Sequence, residues 1–135
     1  MTTVADTAAK TLSRILIIED EPAVAAFLRA ALERHGYDVT SCPSAVEGLR
    51  LLALEDFRGV ISDFRTPGGI TGSDVHEWLA RHKPAMASRI IFITGDVASD
   101  ETIALLTMAG TPCVEKPFRI QQLLEAVEKT IGKPL

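Results

Sequence analysis

The sequence predicts an α/β fold: a three-layer αβα sandwich around a five-stranded parallel sheet. Three observations predict it. Short apolar, β-branched runs recur, as at Ile15-Leu16-Ile17-Ile18, Val60-Ile61 and Ile90-Ile91-Phe92-Ile93, and continuous runs of this length suit strands buried on both faces. Between them lie segments with apolar residues at helical spacing. The two kinds of segment alternate along the chain, a pattern that calls for a parallel sheet with helices on both faces and right-handed crossovers.

Each element has its own grounds. Residues 1–13 are rich in Thr, Ala and Asp without periodicity and are expected to be a tail or linker, with one domain over 14–132. The first strand, Arg14 to Ile18, stops at Glu19-Asp20-Glu21 and Pro22. Proline fits the first turn of a helix, and acids there complement the helix dipole. The helix that follows is expected to bury Val24, Phe27, Leu28, Ala31 and Leu32 and to end at Gly36. A second strand covers Tyr37 to Ser41. Ser44 is placed to cap a second helix, with Val46, Leu49, Leu52 and Ala53 inward. A third strand from Gly59 ends at Asp63, before the Pro67-Gly68-Gly69 loop. A helix opening at Gly72-Ser73-Asp74 carries Val75, Trp78 and Leu79 and stops before Pro84. The fourth strand is Arg89 to Thr94. Ser99 is expected to cap a helix with Ile103, Leu106 and Thr107 inward, ended by Gly110. Pro112 to Glu115 forms the fifth strand, and a last helix carries Ile120, Leu123, Leu124, Val127 and Ile131.

Composition narrows the function. The 135-residue chain is long enough for one domain with a real core, is 47% hydrophobic and carries a formal net charge of −4. A mildly acidic chain offers no nucleic-acid surface of its own. No apolar run approaches the roughly 20 residues of a membrane span, the first 13 residues lack a secretory core, and a cytoplasmic location is expected. Cys42 and Cys113 are too few for a disulfide framework or a structural zinc site and are expected to act as small hydrophobes. Neither a Walker A loop nor Gly-x-Gly-x-x-Gly occurs. His35, His76 and His82 have no visible partner in chemistry.

In a parallel sheet of this kind the carboxyl ends of all strands share one edge, where ligands bind. That edge would gather Glu19 and Asp20 after the first strand, Asp63 after the third, Thr94 at the end of the fourth and Lys116 after the fifth. Clustered carboxylates repel one another unless a cation joins them. Oxygen ligands suit Mg²⁺, and an aspartate in such a place can be a nucleophile that forms an acyl phosphate. A lysine and a hydroxyl can hold the phosphoryl oxygens. Taken singly, each group has a plainer reading as a helix-start acid, a strand-end hydroxyl or a surface charge. Their conjunction, each at the end of a different strand, points to aspartyl phosphorylation. Arg65 and Asp96 each lie two residues beyond a member of the set and carry opposite charges. Two readings are open for the pair: a gate that slows attack of water on the acyl phosphate, or two independent solvated charges.

These residues resemble the receiver domain of two-component response regulators over roughly residues 13–132. The matching motifs are Glu19-Asp20, Asp63-x-x-x-Pro67, Thr94-Gly95 and Lys116-Pro117-Phe118. The resemblance implies the flavodoxin-like, CheY-like (βα)5 fold with strand order 2-1-3-4-5. It implies Asp63 as phosphoacceptor; Asp20, Asp63 and the Arg65 backbone carbonyl as direct Mg²⁺ ligands, with Glu19 acting mostly through water; Thr94 and Lys116 on the phosphoryl group; and a cis bond before Pro117. The implied activity is a phosphorylation switch rather than an enzyme, limited to self-catalysed phosphotransfer and slow autodephosphorylation. The implied donor is a histidine kinase or histidine phosphotransfer protein. Output would pass through protein contacts on the fourth and fifth helices, from a monomer or weak dimer. A free-standing regulator and the receiver of a hybrid histidine kinase both fit.

The chain departs from the family pattern in three places. Thr66 stands where methionine is usual, the Pro67–Gly72 loop is one residue longer than the commonest pattern, and Cys113 replaces the aromatic residue that usually couples to the threonine. A haloacid-dehalogenase-type phosphohydrolase would share the aspartate, threonine, lysine and Mg²⁺. That family needs a second acid two residues after the nucleophile, where this chain has Arg65, and no inserted cap region is present. A receiver that only scaffolds is the third reading, and the complete set of acids, threonine and lysine argues against it.

Overall fold

The computed structural model describes residues 13–95 and 111–134. Five strands, β1 (Arg14–Ile18), β2 (Asp38–Cys42), β3 (Gly59–Asp63), β4 (Ile90–Thr94) and β5 (Cys113–Glu115), form one parallel sheet in the order 2-1-3-4-5. The described helices are α1 (Pro22–Arg34), α2 (Ala45–Leu54), α3 (Gly72–His82), the short α4 (Pro84–Ala87) and α5 (Ile120–Thr130). The expected tail over 1–13, all but its last residue, and the helix expected from Ser99 to Gly110 lie outside the described residues. No helix among the described residues is long and apolar enough to cross a membrane.

Side chains alternate across a strand with period two, and the core divides accordingly. Ile15, Ile17, Ile61, Ile91 and Ile93 face Leu28 and Leu32 of α1 and Leu123 and Val127 of α5. Leu16, Ile18, Val60 and Phe92 face Leu52 of α2 and Val75 and Leu79 of α3. The central strands β1, β3 and β4 are thus apolar on both faces, which is why they read as unbroken runs.

Several expectations change. In α2 the inward residues are Ala45, Gly48 and Leu52, with Leu49 half-buried, while Val46 and Ala53 are exposed. The small residues let the helix approach the sheet: a Cβ on Gly48 would lie 2.5 Å from Ile18 Cδ1. Val46 and Ala53 fall to one side of that contact. Phe27, expected inside, is 43% exposed and lies against Phe118 with ring centroids 6.2 Å apart; Ile120, at helical spacing on the last helix, is 41% exposed. The chain does not stay irregular after α3 but resumes at Pro84 as α4, with proline in its first turn. Cys42 is buried as expected, whereas Cys113 is exposed because β5 is an edge strand.

The amino edge of the sheet is tied down by arginines and a tyrosine. Arg58 donates through Nε to Ile131 O (3.0 Å) and through Nη1 to Lys133 O. Arg89 Nε donates to Arg58 O. Tyr37 Oη donates to Gly132 O at 2.6 Å. Arg14 donates to Glu55 Oε1 at 2.8 Å and lies 4.4 Å from the Phe57 ring centroid. Gly132, at φ +102°, lets the backbone turn into this clamp.

Candidate functional site

The opposite, carboxyl edge collects acids. Glu19 extends β1 by one bond, its N–H donating to Cys42 O at 3.0 Å, and the residue is only 3% exposed. Glu21, the residue before α1, donates its N–H to Glu19 Oε1 at 3.2 Å and so orients that carboxylate. Asp63 closes β3, which is buried along its whole length. It lies in register with Ile93, one residue before Thr94. Thr94, 2% exposed, ends β4. Its carbonyl accepts the Lys116 N–H at 2.8 Å, so the β4–β5 ladder delivers Lys116 to the same rim.

One ammonium serves three carboxylates there. Lys116 Nζ lies 3.1 Å from Asp63 Oδ2, 3.1 Å from Glu19 Oε2 and 3.9 Å from Glu21 Oε1. Burial works against the charge on Lys116, but its hydrogen bonds to Asp63 and Glu19, and their charges, outweigh it and raise its pKa above the ordinary value. Burial and then the neighbouring Asp63 charge push Glu19 above the usual carboxylate range, although Lys116 pulls the other way.

Glu19, Asp20 and Asp63 each offer a carboxylate oxygen, and these oxygens lie within 4.8 Å of one another. The donor set is all oxygen, partly buried and rich in negative charge, and it fits a hard divalent cation such as Mg²⁺. The exposed side of the group is Asp20, open to solvent and to incoming ligands.

Sequence reasoning named Glu19, Asp20, Asp63, Thr94 and Lys116. The first three and Lys116 meet as described, and Thr94 is buried at the neighbouring strand end. Arg65 is exposed two residues beyond Asp63, and its N–H donates to Asp63 Oδ1 at 3.4 Å. Asp96, its expected partner in a gate, lies outside the described residues. The Lys116–Pro117 bond is cis, as expected. Glu21 was not expected to reach Lys116; its place in the acidic triplet was the available signal. Beside Lys116 lies an apolar depression of about 440 Å³ lined by Ala23, Val24, Phe27, Pro117 and Phe118. Exposed Phe27 was its sequence trace, misread as core.

Comparison with known proteins agrees with this arrangement. The family model described as the response regulator receiver domain matches residues 15–128. An uncharacterised transcriptional regulatory protein of Bacillus subtilis, YkoG, is 31% identical over 117 residues, covering 87% of this chain and 50% of YkoG. The chain spans about half the length of the curated relatives it matches. Among solved structures, a CheY-like response regulator receiver domain protein from Methanospirillum hungatei is 30% identical with TM-score 0.79, over 88% of this chain and 93% of that one. The response regulator TrrA of Thermotoga maritima, solved in complex with Mg²⁺–BeF, is 27% identical with TM-score 0.76, over 87% and 98%.

Proposed function

We propose, from the premise that the chain belongs to the response regulator receiver domain family of two-component systems, that Asp63 is its phosphoacceptor. The observation that carries this reading is the strand-end Asp63 carboxylate, 3.1 Å from the Lys116 ammonium and grouped with Glu19 and Asp20. The donor would be a histidine kinase or histidine phosphotransfer protein carrying phosphohistidine. An Asp63 oxygen attacks phosphorus, the P–N bond breaks, and the electron pair leaves with the imidazole. The product is an acyl phosphate, which water later hydrolyses.

Glu19, Asp20, Asp63 and the Arg65 carbonyl would hold Mg²⁺, which when bound neutralises charge on the phosphoryl oxygens. The chain's own groups do the rest. Lys116 already bonds the Asp63 oxygen and can follow negative charge onto the phosphoryl group. The Thr94 hydroxyl, at the adjacent strand end, would donate to another of its oxygens. Glu21 holds Glu19, and Glu19 holds Lys116. The apolar depression beside Lys116 suits an apolar side chain of the phosphodonor, next to the attacked bond. A cytoplasmic location follows from the same reading. Part of the expected output face, the helix from Ser99 to Gly110, lies outside the described residues.

The test is intact-mass analysis after incubation with acetyl phosphate and Mg²⁺. Wild type should gain one labile phosphoryl group. Asp63→Asn and Mg²⁺-free samples should gain none. A phosphoryl group retained by Asp63→Asn would overturn the assignment.

A further inference from the structure

The segment just beyond Asp63 is pinned from two sides. Phe64 is fully buried, its ring edge-on to Phe92 with centroids 5.4 Å apart. Thr66 Oγ1 accepts a 2.9 Å hydrogen bond from the Ala45 N–H. Ala45 is the first residue of α2, so its N–H belongs to the set of donors that a helix cannot satisfy internally. Ser44, the N-cap, takes the Glu47 N–H at 3.2 Å. The Ala45 donor is met instead from another element, by Thr66. Beyond it the chain turns through Gly68 (φ +103°) and Gly69 (φ +77°). It returns at the Arg65–Thr71 bridge and the 2.8 Å Gly72 N–H to Phe64 O bond, which close the base of the loop.

The Arg65 carbonyl belongs to the planar peptide unit that Arg65 shares with Thr66. We infer that Thr66 is a positioning residue for the cation site: its hydroxyl, held by the first N–H of α2, fixes the Arg65–Thr66 peptide and so aims the Arg65 carbonyl. This inference rests on the function proposed above. The loop closure at Phe64 and Thr71 restrains the ends of the segment, and the Thr66 bond restrains its middle. Without the hydroxyl the peptide keeps the restraint of the Arg65–Thr71 bridge at the base of the loop but loses that of the Thr66 bond, and the Ala45 N–H loses its acceptor. The side chains of Glu19, Asp20 and Asp63, carried by β1 and β3, stay where they are. The loss should therefore weaken cation binding without abolishing it.

The experiment is titration calorimetry of Mg²⁺ into the full chain for wild type, Thr66→Val, Thr66→Ser and Asp63→Asn, with a thermal melt of each. Thr66→Val keeps the shape and removes the acceptor, and it should raise the Mg²⁺ dissociation constant by roughly 3- to 10-fold. Thr66→Ser keeps the hydroxyl and should restore most of the affinity. A role confined to capping α2 would lower the melting temperature of Thr66→Val while its Mg²⁺ affinity stayed at the wild-type value, and that result overturns the inference. Equal weakening in Thr66→Val and Thr66→Ser overturns it as well. Asp63→Asn separates the two levels. If Asp63→Asn loses binding and Thr66→Val does not, the inference alone fails. If Asp63→Asn binds as wild type does, the reading of the site fails and takes the inference with it.

Discussion

The two edges of the sheet solve opposite electrostatic problems. At the amino edge, Arg14, Arg58 and Arg89 donate to main-chain carbonyls and to Glu55, and Tyr37 donates to Gly132. Cation and acceptor are matched, and the C-terminal segment is strapped to the start of β3. At the carboxyl edge, Glu19, Glu21 and Asp63 share the Lys116 ammonium, with Asp20 adjoining. Among the described residues acid exceeds base there, and Glu19 is pushed toward its neutral form by burial and by Asp63. A satisfied network contributes to stability, whereas a cluster of like charges costs stability until a ligand completes it. The difference separates the residues that hold this fold from the residues proposed to act.

Substitutions at the two edges should therefore behave differently. The largest effect expected is on activity: Asp63→Asn should lose all phosphoryl incorporation by intact mass while its circular dichroism remains that of wild type. Unfolding of that variant would break the comparison, because it would make Asp63 part of the scaffold. Arg58→Ala should leave phosphorylation intact and cost about 1.5–3 kcal/mol in urea denaturation, the range for hydrogen bonds from charged donors. A loss of phosphorylation at full stability would reverse the assignment of that edge.

Tyr37→Phe should cost about 0.5–1.5 kcal/mol by the same measurement. Burial, and then the charge of Glu128, raise the Tyr37 pKa above that of a free phenol. The folded state thus favours the neutral phenol. That contribution is fully present below about pH 10 and is lost as pH rises through the folded pKa. Tyr37→Phe should flatten this alkaline decline, and an unchanged decline would remove Tyr37 as its source. The smallest effect is expected at Glu19→Gln: within about 0.5 kcal/mol of wild type, or a slight gain. A clear loss of stability there would show that the acidic edge is also structural.

How far the sequence discloses each edge follows from the same physics. Strand ends were legible because apolar runs break at Glu19, Asp63 and Thr94, where the chain leaves the core for the rim. The site was legible because parallel topology alone brings those ends together. The amino-edge clamp left little sequence trace, since Arg58 and Tyr37 bond to main-chain carbonyls, and any residue supplies a carbonyl. The facing of α2 was misread because a close helix–sheet approach selects Ala45 and Gly48, while the larger Val46 stays outside. Phe27 reads as core because apolar spacing does not distinguish a buried stripe from one that borders a depression. The Thr66–Ala45 bond joins residues 21 apart in the sequence, a pairing that local pattern does not signal.

On the proposed reading, the carboxyl edge is short of positive charge and a divalent ion completes it, independently of the amino edge. The direct measurement is unfolding free energy with and without Mg²⁺ for wild type, Arg58→Ala and Asp63→Asn. A ligand that binds only the folded state stabilises it by RT ln(1 + [L]/Kd). Wild type and Arg58→Ala should gain equally, because distant sites add independently, and Asp63→Asn should gain little or nothing. An equal Mg²⁺ gain in Asp63→Asn, or none in wild type, would rule out a divalent-ion site at the carboxyl edge.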